Sequence, residues 1–594
     1  MTKALFLIFS LLVAATGVRS QAPATPAPTP APAAADDSAA MRQEIQQLKQ
    51  TLAALEKRLE AQEKQQQEQL QAESTNKDLQ TKVDELDSRV SKTEVKNSLD
   101  RLNFSGDYRF EAHTIVGHVP AHYDGMALQN LVVRTMFSMP YIGMPTSVAQ
   151  INNTVNAHYA DYLNFTNNLT FAQIKQAMGA FPPQMQQQLF GLLMPATYVP
   201  GYQANTADLL TNRLRLNFTG RVADNISYTA RLSMYKAFGD STGVQVFNGQ
   251  PNTFNIDGTT TGVPNSDIIR VDRAYFSWNH IADSKFYLSI GRRPSTDGPP
   301  MNYRNDELRG GTPSGSLIDF QFDGVTIGYH WTDNMVWRLC YGIGYTSGFG
   351  NGNLLLQPQD RLKDTQLIGA NLDLWTTEKS LVQATYAHAF NVTDGFTGSV
   401  VMPYNPITGE ATPPVVMRYQ PSANLGSIDL FGMNVTRRVG SFDLYGSTNF
   451  SFTHSNGLTS PFGGLMCDPY DASCPDRTGY MLLAGIRYHF ANDERTKVGF
   501  EYNYGSKYWF NFAQSQDDII SPKTSTRGNV YETYLTHRIS DRFIFKAAFI
   551  NYDYLYSGSG WHLGAPKKLN TTPILGFPTY DSAWMFTLGI TARF

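Results

Sequence analysis

Some sixteen stretches of this chain alternate apolar and polar residues with a period of two, most over about 10 to 13 residues, and their connections are short and long by turns. Successive side chains of a strand point to opposite faces, so each such stretch has one greasy and one wet face. The final stretch is the clearest. Trp584, Phe586, Leu588, Ile590, Ala592 and Phe594 share one face, and Met585, Thr587, Gly589, Thr591 and Arg593 share the other. A repeat of this kind at membrane-spanning length predicts an all-β fold: an antiparallel transmembrane β-barrel of about 16 strands.

Composition is consistent with that expectation once the barrel pattern is allowed for. A mean hydropathy of -0.31 does not describe a helical membrane protein, and no apolar run of about 18 residues follows the amino terminus. Only alternate residues of a barrel strand need to meet lipid, which keeps the average low while aromatic and glycine content rises. The chain carries 31 Tyr, 35 Phe and 47 Gly. Its net charge of -3 supplies no basic face for nucleic acid.

The strands are expected near 101-113, 209-221, 226-237, 268-279, 285-293, 318-331, 335-346, 364-376, 380-391, 426-438, 441-454, 479-491, 496-508, 528-539, 543-555 and 581-594. Tight polar turns fall at 223-225, 281-284, 332-334, 376-380, 491-496 and 540-542. Longer loops fall at 239-267, 391-425, 455-478 and 507-528. One trimmed rim and one elaborate rim are what a barrel with short periplasmic turns and long external loops requires. An even strand count puts both barrel ends on the short-turn side. Trp278, Trp331, Trp337 and Trp375 lie close to those short turns, as an interfacial aromatic girdle does, while Trp584 lies toward the opposite rim.

Upstream, residues 1-20 read as a signal peptide, with Lys3 before an apolar run and small residues at the cleavage region. Residues 21-40 form a Pro/Ala-rich linker. Over 41-97, Ile45, Leu48, Leu52, Leu55 and Leu59, and then Leu79, Val83, Leu86 and Val90, recur at coiled-coil spacing around a Gln-rich interruption. So narrow an apolar stripe predicts self-association of the chain through this α-helical coiled coil, on the periplasmic side. Residues 101-594 are assigned to the barrel.

The longest connection, 114-208, contains two helical spacings, Phe171 to Phe181 and Met185 to Leu192, broken by Pro182-Pro183. Both a plug over the pore and an outer cap fit it. Cys467 and Cys474 are spaced to close a small disulfide loop in an oxidising compartment, and Cys340 stands alone. No metal or cofactor site is expected, because no His or Cys completes a zinc set and no haem or phosphate motif is present.

With the apolar face outward, Arg109, Arg213, Arg215, Arg231, Arg273, Arg338, Arg438, Arg487 and Lys546 point into the lumen, against Asp107, Glu111, Asp373, Asp443 and Glu501. An arginine-rich wet wall raises local anion concentration. The same residues could instead pair across strands and stiffen the wall. Strand histidines His330, His388, His489 and His537 have no spacing that ties them to a nucleophile, so no catalytic residue and no enzymatic activity are expected.

The segments Phe104-Ser105-Gly106-Asp107-Tyr108-Arg109-Phe110, Gly291 to Pro300 and Val530-Tyr531-Glu532-Thr533-Tyr534-Leu535 resemble a largely uncharacterised family of Gram-negative outer-membrane porins with an N-terminal periplasmic coiled coil. The closing strand with its terminal Phe594 is similar to the barrel-assembly signal of such proteins. The resemblance implies outer-membrane location, contact with lipid, passive diffusion of small hydrophilic solutes, and a homo-oligomer, expected as a trimer. The Gly291 to Pro300 stretch resembles the strand end of specific porins from which a loop folds inward. On that basis Arg293, with Arg292, Asp306, Glu307 and Arg309, are candidates for a constriction; a plain external loop is the other reading. A tether from the outer membrane to peptidoglycan through the coiled coil, or the barrel component of an export or electron-transfer complex with partner cytochromes, are the alternative functions.

Overall fold

In the computed structural model the described residues are 102–239, 262–264, 266–348, 355–395, 398–404, 411–419, 421–471, 473–490, 494–571 and 573–594. The chain divides into two units, Met1–Val90 and Ser91–Phe594. The signal peptide, linker and coiled coil expected from sequence lie outside the described residues.

The second unit is built on a closed antiparallel barrel of sixteen strands in which each pairs with its neighbours in chain order and the first pairs with the last. The strands are β1 (Leu102–Val119), β2 (Tyr202–Ala223), β3 (Ile226–Ala237) and β4 (Ser266–Trp278). Next come β5 (Phe286–Arg292), β6 (Asp323–Thr332), β7 (Met335–Tyr345) and β8 (Thr365–Thr377). They are followed by β9 (Ser380–Thr393), β10 (Asn424–Val439), β11 (Phe442–Ser455) and β12 (Arg477–His489). The set ends with β13 (Thr496–Gly505), β14 (Gly528–Ser540), β15 (Phe543–Tyr554) and β16 (Ser582–Arg593). Closure runs through the β1–β16 register, Asp107 opposite Arg593 to His118 opposite Ser582, and the Gly106 amide donates to the Phe594 carbonyl at 2.8 Å.

Sidedness is inverted relative to a water-soluble barrel. On β10 the apolar Phe431, Met433 and Val435 are 40–46% exposed, whereas Asn434 and Thr436 between them and beyond are 0% and 4% exposed. On β16 Phe586, Leu588 and Ile590 face out. An apolar exterior around a polar interior is the arrangement a bilayer demands of a closed sheet. Trp278, Trp331, Trp337 and Trp375 are exposed on the outer surface near the short turns, and Trp331 stacks on Trp337 at 5.2 Å. Among the described residues no helix is long and apolar enough to cross a membrane.

Four expected boundaries are corrected. β6 begins at Asp323 rather than 318, because Leu317 and Phe320 are buried in the lumen and Ile318 bridges to Phe512 instead of joining the wall. β13 ends at Gly505 rather than 508, because Trp509 and Phe510 turn inward and become fully buried. β1 and β2 extend the expected 101-113 and 209-221 by pairing onward from Ile115 opposite Thr206 to Val119 opposite Tyr202 past a bulge, so the connection between them starts at 120 and ends at 201.

That connection holds five helices: α1 (Gly125–Ile142), α2 (Val148–Ala157), α3 (Tyr159–Asn168), α4 (Phe171–Ala180) and α5 (Pro183–Leu193). Thr170 and Gln173 form a capping box at the start of α4, and Pro183 sits in the first turn of α5, where its missing N–H is harmless. Leu128, Leu131, Val132, Ile151, Met178 and Leu193 give the insertion its own core. Outside itself it meets the other long connections: Lys175 donates to Thr459 at 2.6 Å, Phe171 packs on Tyr470, and His122–Asp124 pairs with Ile574–Gly576. These contacts bind the helices to neighbouring loops.

Candidate functional site

The lumen is crossed by two loops. The first, residues 293–322, leaves the wall after β5. Its amide at Arg293 donates to the Phe322 carbonyl at 3.0 Å, closing the loop at its neck. Gly298 and Gly311 sit where the two arms touch, with no room for a side-chain carbon against Pro313 and Thr296. The tip, Tyr303 to Glu307, reaches strands on the far side of the barrel. Tyr303 stacks on Tyr445 of β11 at 4.6 Å, and Asn305 accepts from Lys546 of β15 at 2.6 Å.

The second loop, 506–527, leaves the wall after β13. It was expected as an external loop over 507-528. Its Trp509, Phe510 and Ala513 have too little affinity for water to stay there, and they fold into the lumen instead. The two loops pair. Asp319 donates its amide to Phe512 O at 2.7 Å, Phe512 returns one to Leu317 O at 3.1 Å, and Ser515 donates to Asp319 O at 2.9 Å. Met301, Leu317, Phe320, Trp509 and Phe510 form one core with the wall residues Ile428, Leu430, Met481 and Leu483.

Most of the charged residues named from sequence converge here, and nearly every arginine has an acid; Arg438 instead meets the exposed Glu494 of a short turn at 3.4 Å. Arg109 donates to Asp517 at 2.9 Å and lies 3.1 Å from Glu111. Arg213 also meets Asp517 at 2.9 Å, with Glu307 at 3.5 Å. Arg215 donates to Asp107 at 2.8 Å and Glu307 at 2.7 Å. Arg231 pairs with Asp272 and, at 2.7 Å, with Asp297. Arg273 donates to Asp297 at 2.9 Å and the Gly310 carbonyl at 2.7 Å. Arg309 grips Asp373 through both terminal nitrogens at 3.1 Å, and Arg338 shares that carboxylate at 2.9 Å. Arg487 bridges Asp443 at 2.8 Å and Asp306 at 3.2 Å. Arg293 differs: it contacts Ser289 and lies 5.3 Å over the Tyr275 ring.

Asp306 is the best-tethered residue of the tip. Besides Arg487 it accepts from Lys497 and, at 2.7 Å, from Arg538. Burial alone would raise its carboxyl, but these three cations outweigh burial and hold it below the usual carboxylate range. Glu307, beside Arg215 and Arg213, and Asp517, beside Arg109 and Arg213, are lowered for the same reason against the same burial penalty. Asp319 goes the other way. Fully enclosed beside Asp297, its carboxyl is pushed well up.

Sequence reasoning missed the second half of this network. Arg304 pairs with Asp518 at 2.5 Å and Glu532 at 3.4 Å, and Lys523 pairs with Glu501 and Glu532. The available signal was composition: a loop carrying Trp509, Phe510, Phe512, Ile519 and Ile520 is unlike one bathed in water. Among the described residues no group of three or more His, Cys, Asp or Glu is placed to hold a metal.

Cys467 and Cys474 are disulfide-bonded with Cα atoms 5.3 Å apart, both buried in the loop 456–476 that packs on α4. Closing so short a loop stabilises by about 2 kcal/mol. Cys467→Ser is therefore expected to expose loop 456–476 to limited proteolysis while the barrel persists; an unchanged cleavage pattern would show that the crosslink adds nothing there.

A family model described as "Protein of unknown function (DUF3373)" matches residues 203–594, about two thirds of the chain. The chain belongs to that family. No curated protein matches it. Solved structures similar to it include OmpT, an outer membrane protein of Vibrio cholerae, in its in-vitro folded form. That match has 12% identity and a TM-score of 0.33, covering 66% of this chain and 92% of that one. The trimer form matches at 11% identity and a TM-score of 0.35, covering 83% and 99%. A loop L8 deletion mutant of OmpT matches at 11% identity and 0.36, again over 83% and 99%. The assignment of this member of the family to a membrane barrel rests on its own closed sheet and apolar exterior.

Proposed function

We propose that the chain is an outer-membrane porin for passive diffusion of small hydrophilic solutes, kept narrow by loops 293–322 and 506–527. The observation that carries this reading is the tip of the first loop, held by ion pairs from Asp306 to Arg487, Lys497 and Arg538 on the far wall. A polar, charge-lined interior suits a wet path, and a barrel that served as an anchor alone would need no such ladder. Pairing of the arginines cancels most of their field, so the expected anion preference is small. A reversal potential in a salt gradient measures it, and cation selectivity would remove that part of the proposal. A periplasmic coiled coil, a homotrimer and contact with peptidoglycan belong to the same proposal.

Single-channel recording of the full-length protein in planar bilayers tests it. Small, steady, salt-dependent openings are expected at neutral pH. They should grow in acid. Asp306, Glu307 and Asp517 have folded-state pKa values below the unfolded carboxylate value of about 4. Their tethering is complete above that value and is lost as pH falls through the lower, folded one. The buried apolar layer made by both loops favours a second reading, an outer-membrane anchor with no conducting path. Folded protein that passes no current at any pH decides for the anchor.

A further inference from the structure

At the long-connection rim, α1, loop 456–476, loop 555–581 and the end of loop 506–527 enclose a cavity of about 400 Å³. That lies within the range of small-molecule sites. Its walls are mainly apolar and aromatic, including Leu128, Phe190, Phe462, Trp561 and Ile574. Asp468 and Lys567 also line it but neutralise each other as an ion pair.

One wall residue carries a charge that no acid balances. Arg527 is 0% exposed, and its Nε donates to Trp509 O at 3.0 Å. Nη1 donates to Ser557 O at 3.0 Å, and Nη2 to Trp561 O at 2.7 Å and Met466 Sδ at 3.2 Å. Every one of these acceptors is neutral. Among the described residues no carboxylate stands within ion-pair distance, whereas Arg304, buried almost as deeply, has Asp518 and Glu532. A guanidinium has five N–H donors, so these four contacts leave one at Nη1. Nη1 lies 3.0 Å from where a Cβ on Gly558 would stand, and Gly558 lines the cavity. Gly558 thus puts no side chain between Nη1 and the cavity, and Arg527 is itself one of the cavity-lining residues. Burial without an acid pulls the group down to about 9, which still leaves it charged at neutral pH.

We propose that this cavity binds a small amphipathic monoanion, an aromatic or aliphatic carboxylate of about naphthalene size, with its carboxylate on Arg527 and its body on the aromatic walls. A buried cation held only by neutral carbonyls gains most from a charge-assisted partner, and an apolar enclosure of this size selects the rest of the molecule. The site is independent of whether the lumen conducts, because it lies above the loop-crossed section and its occupancy is read without current.

The test uses the full-length protein in zwitterionic lipid nanodiscs, titrated calorimetrically with naphthalene-2-carboxylate and with its neutral carboxamide, against empty discs. The carboxylate should bind saturably and about tenfold or more tighter than the amide. Arg527→Gln should abolish that preference. Because this buried substitution could prevent folding, Gly576→Trp supplies a second variant. A Cβ at Gly576, a cavity-lining residue, meets nothing within 4 Å, so the indole enters open space and leaves Arg527 in place. It should weaken carboxylate binding about tenfold with the barrel still folded. No saturable binding to the wild type, equal binding of the amide, or full binding by folded Gly576→Trp would each overturn the proposal.

Discussion

Asp306→Asn is expected to raise single-channel conductance several-fold and to lower the unfolding temperature. Asp306 occupies a left-handed backbone position with φ of 49°, which Asn adopts as readily, so the substitution leaves the turn at the loop tip unstrained. It removes a carboxylate that faces Arg487 at 3.2 Å, Arg538 at 2.7 Å and Lys497. Breaking a buried ion pair from one side costs about 3–5 kcal/mol, since the partners stay buried without compensation. The lower end applies here, because the Arg538 side chain is 41% exposed and can turn to water. The tip then loses its hold on the wall at Arg487, Lys497 and Arg538 together, and keeps the Tyr303 stacking, the Asn305 contact and the ion pairs of Arg304 and Glu307. Planar-bilayer recording beside thermal unfolding checks both parts. Destabilisation without any change in current would mean that the tip does not restrict the path.

Lys523→Met should have an effect of similar size on the second loop. Lys523 is 1% exposed, with its ammonium between Glu501 on β13 and Glu532 on β14. Its backbone is also fixed, donating to Asp518 at 3.0 Å and accepting from Asn503 at 2.9 Å. Methionine fills the same space but leaves two enclosed carboxylates without their ammonium, Glu501 with the Tyr445 hydroxyl at 2.7 Å and Glu532 with Arg304 at 3.4 Å. A loss of about 3–5 kcal/mol is expected. The companion variant Lys523→Met/Glu501→Gln/Glu532→Gln removes the stranded charges and should recover much of it. Thermal unfolding of both variants separates charge from packing. Equal loss in the two would assign Lys523 a purely steric role.

The wall of this protein was readable from sequence because lipid imposes a rule on each residue separately: Phe586, Leu588 and Ile590 must be apolar, and any polar residue between them must turn in. The lumen obeys no such rule. Arg109 and Asp517 are 408 positions apart, so alternation shows that Arg109 points inward and gives no hint of what it meets. The same alternation misled at 318–322, where Ile318, Phe320 and Phe322 have strand spacing but satisfy it in the core shared by loops 293–322 and 506–527 rather than against the membrane. The inward course of 293–322 was one of two open readings. The inward course of 506–527 is invisible to loop length and turn residues and shows only in side chains that do not tolerate water, Trp509, Phe510 and Phe512 among them.

The seam between β1 and β16 bears on how such a molecule is made. Its two sides are separated by almost the whole barrel sequence, yet they exchange a ladder from Asp107 to His118. A nascent chain therefore carries an unsatisfied edge, open to wrong partners, until its final segment has been translated and delivered. Sealing is the last event available to it, and a chain cut short before Ser582 would have nothing with which to finish.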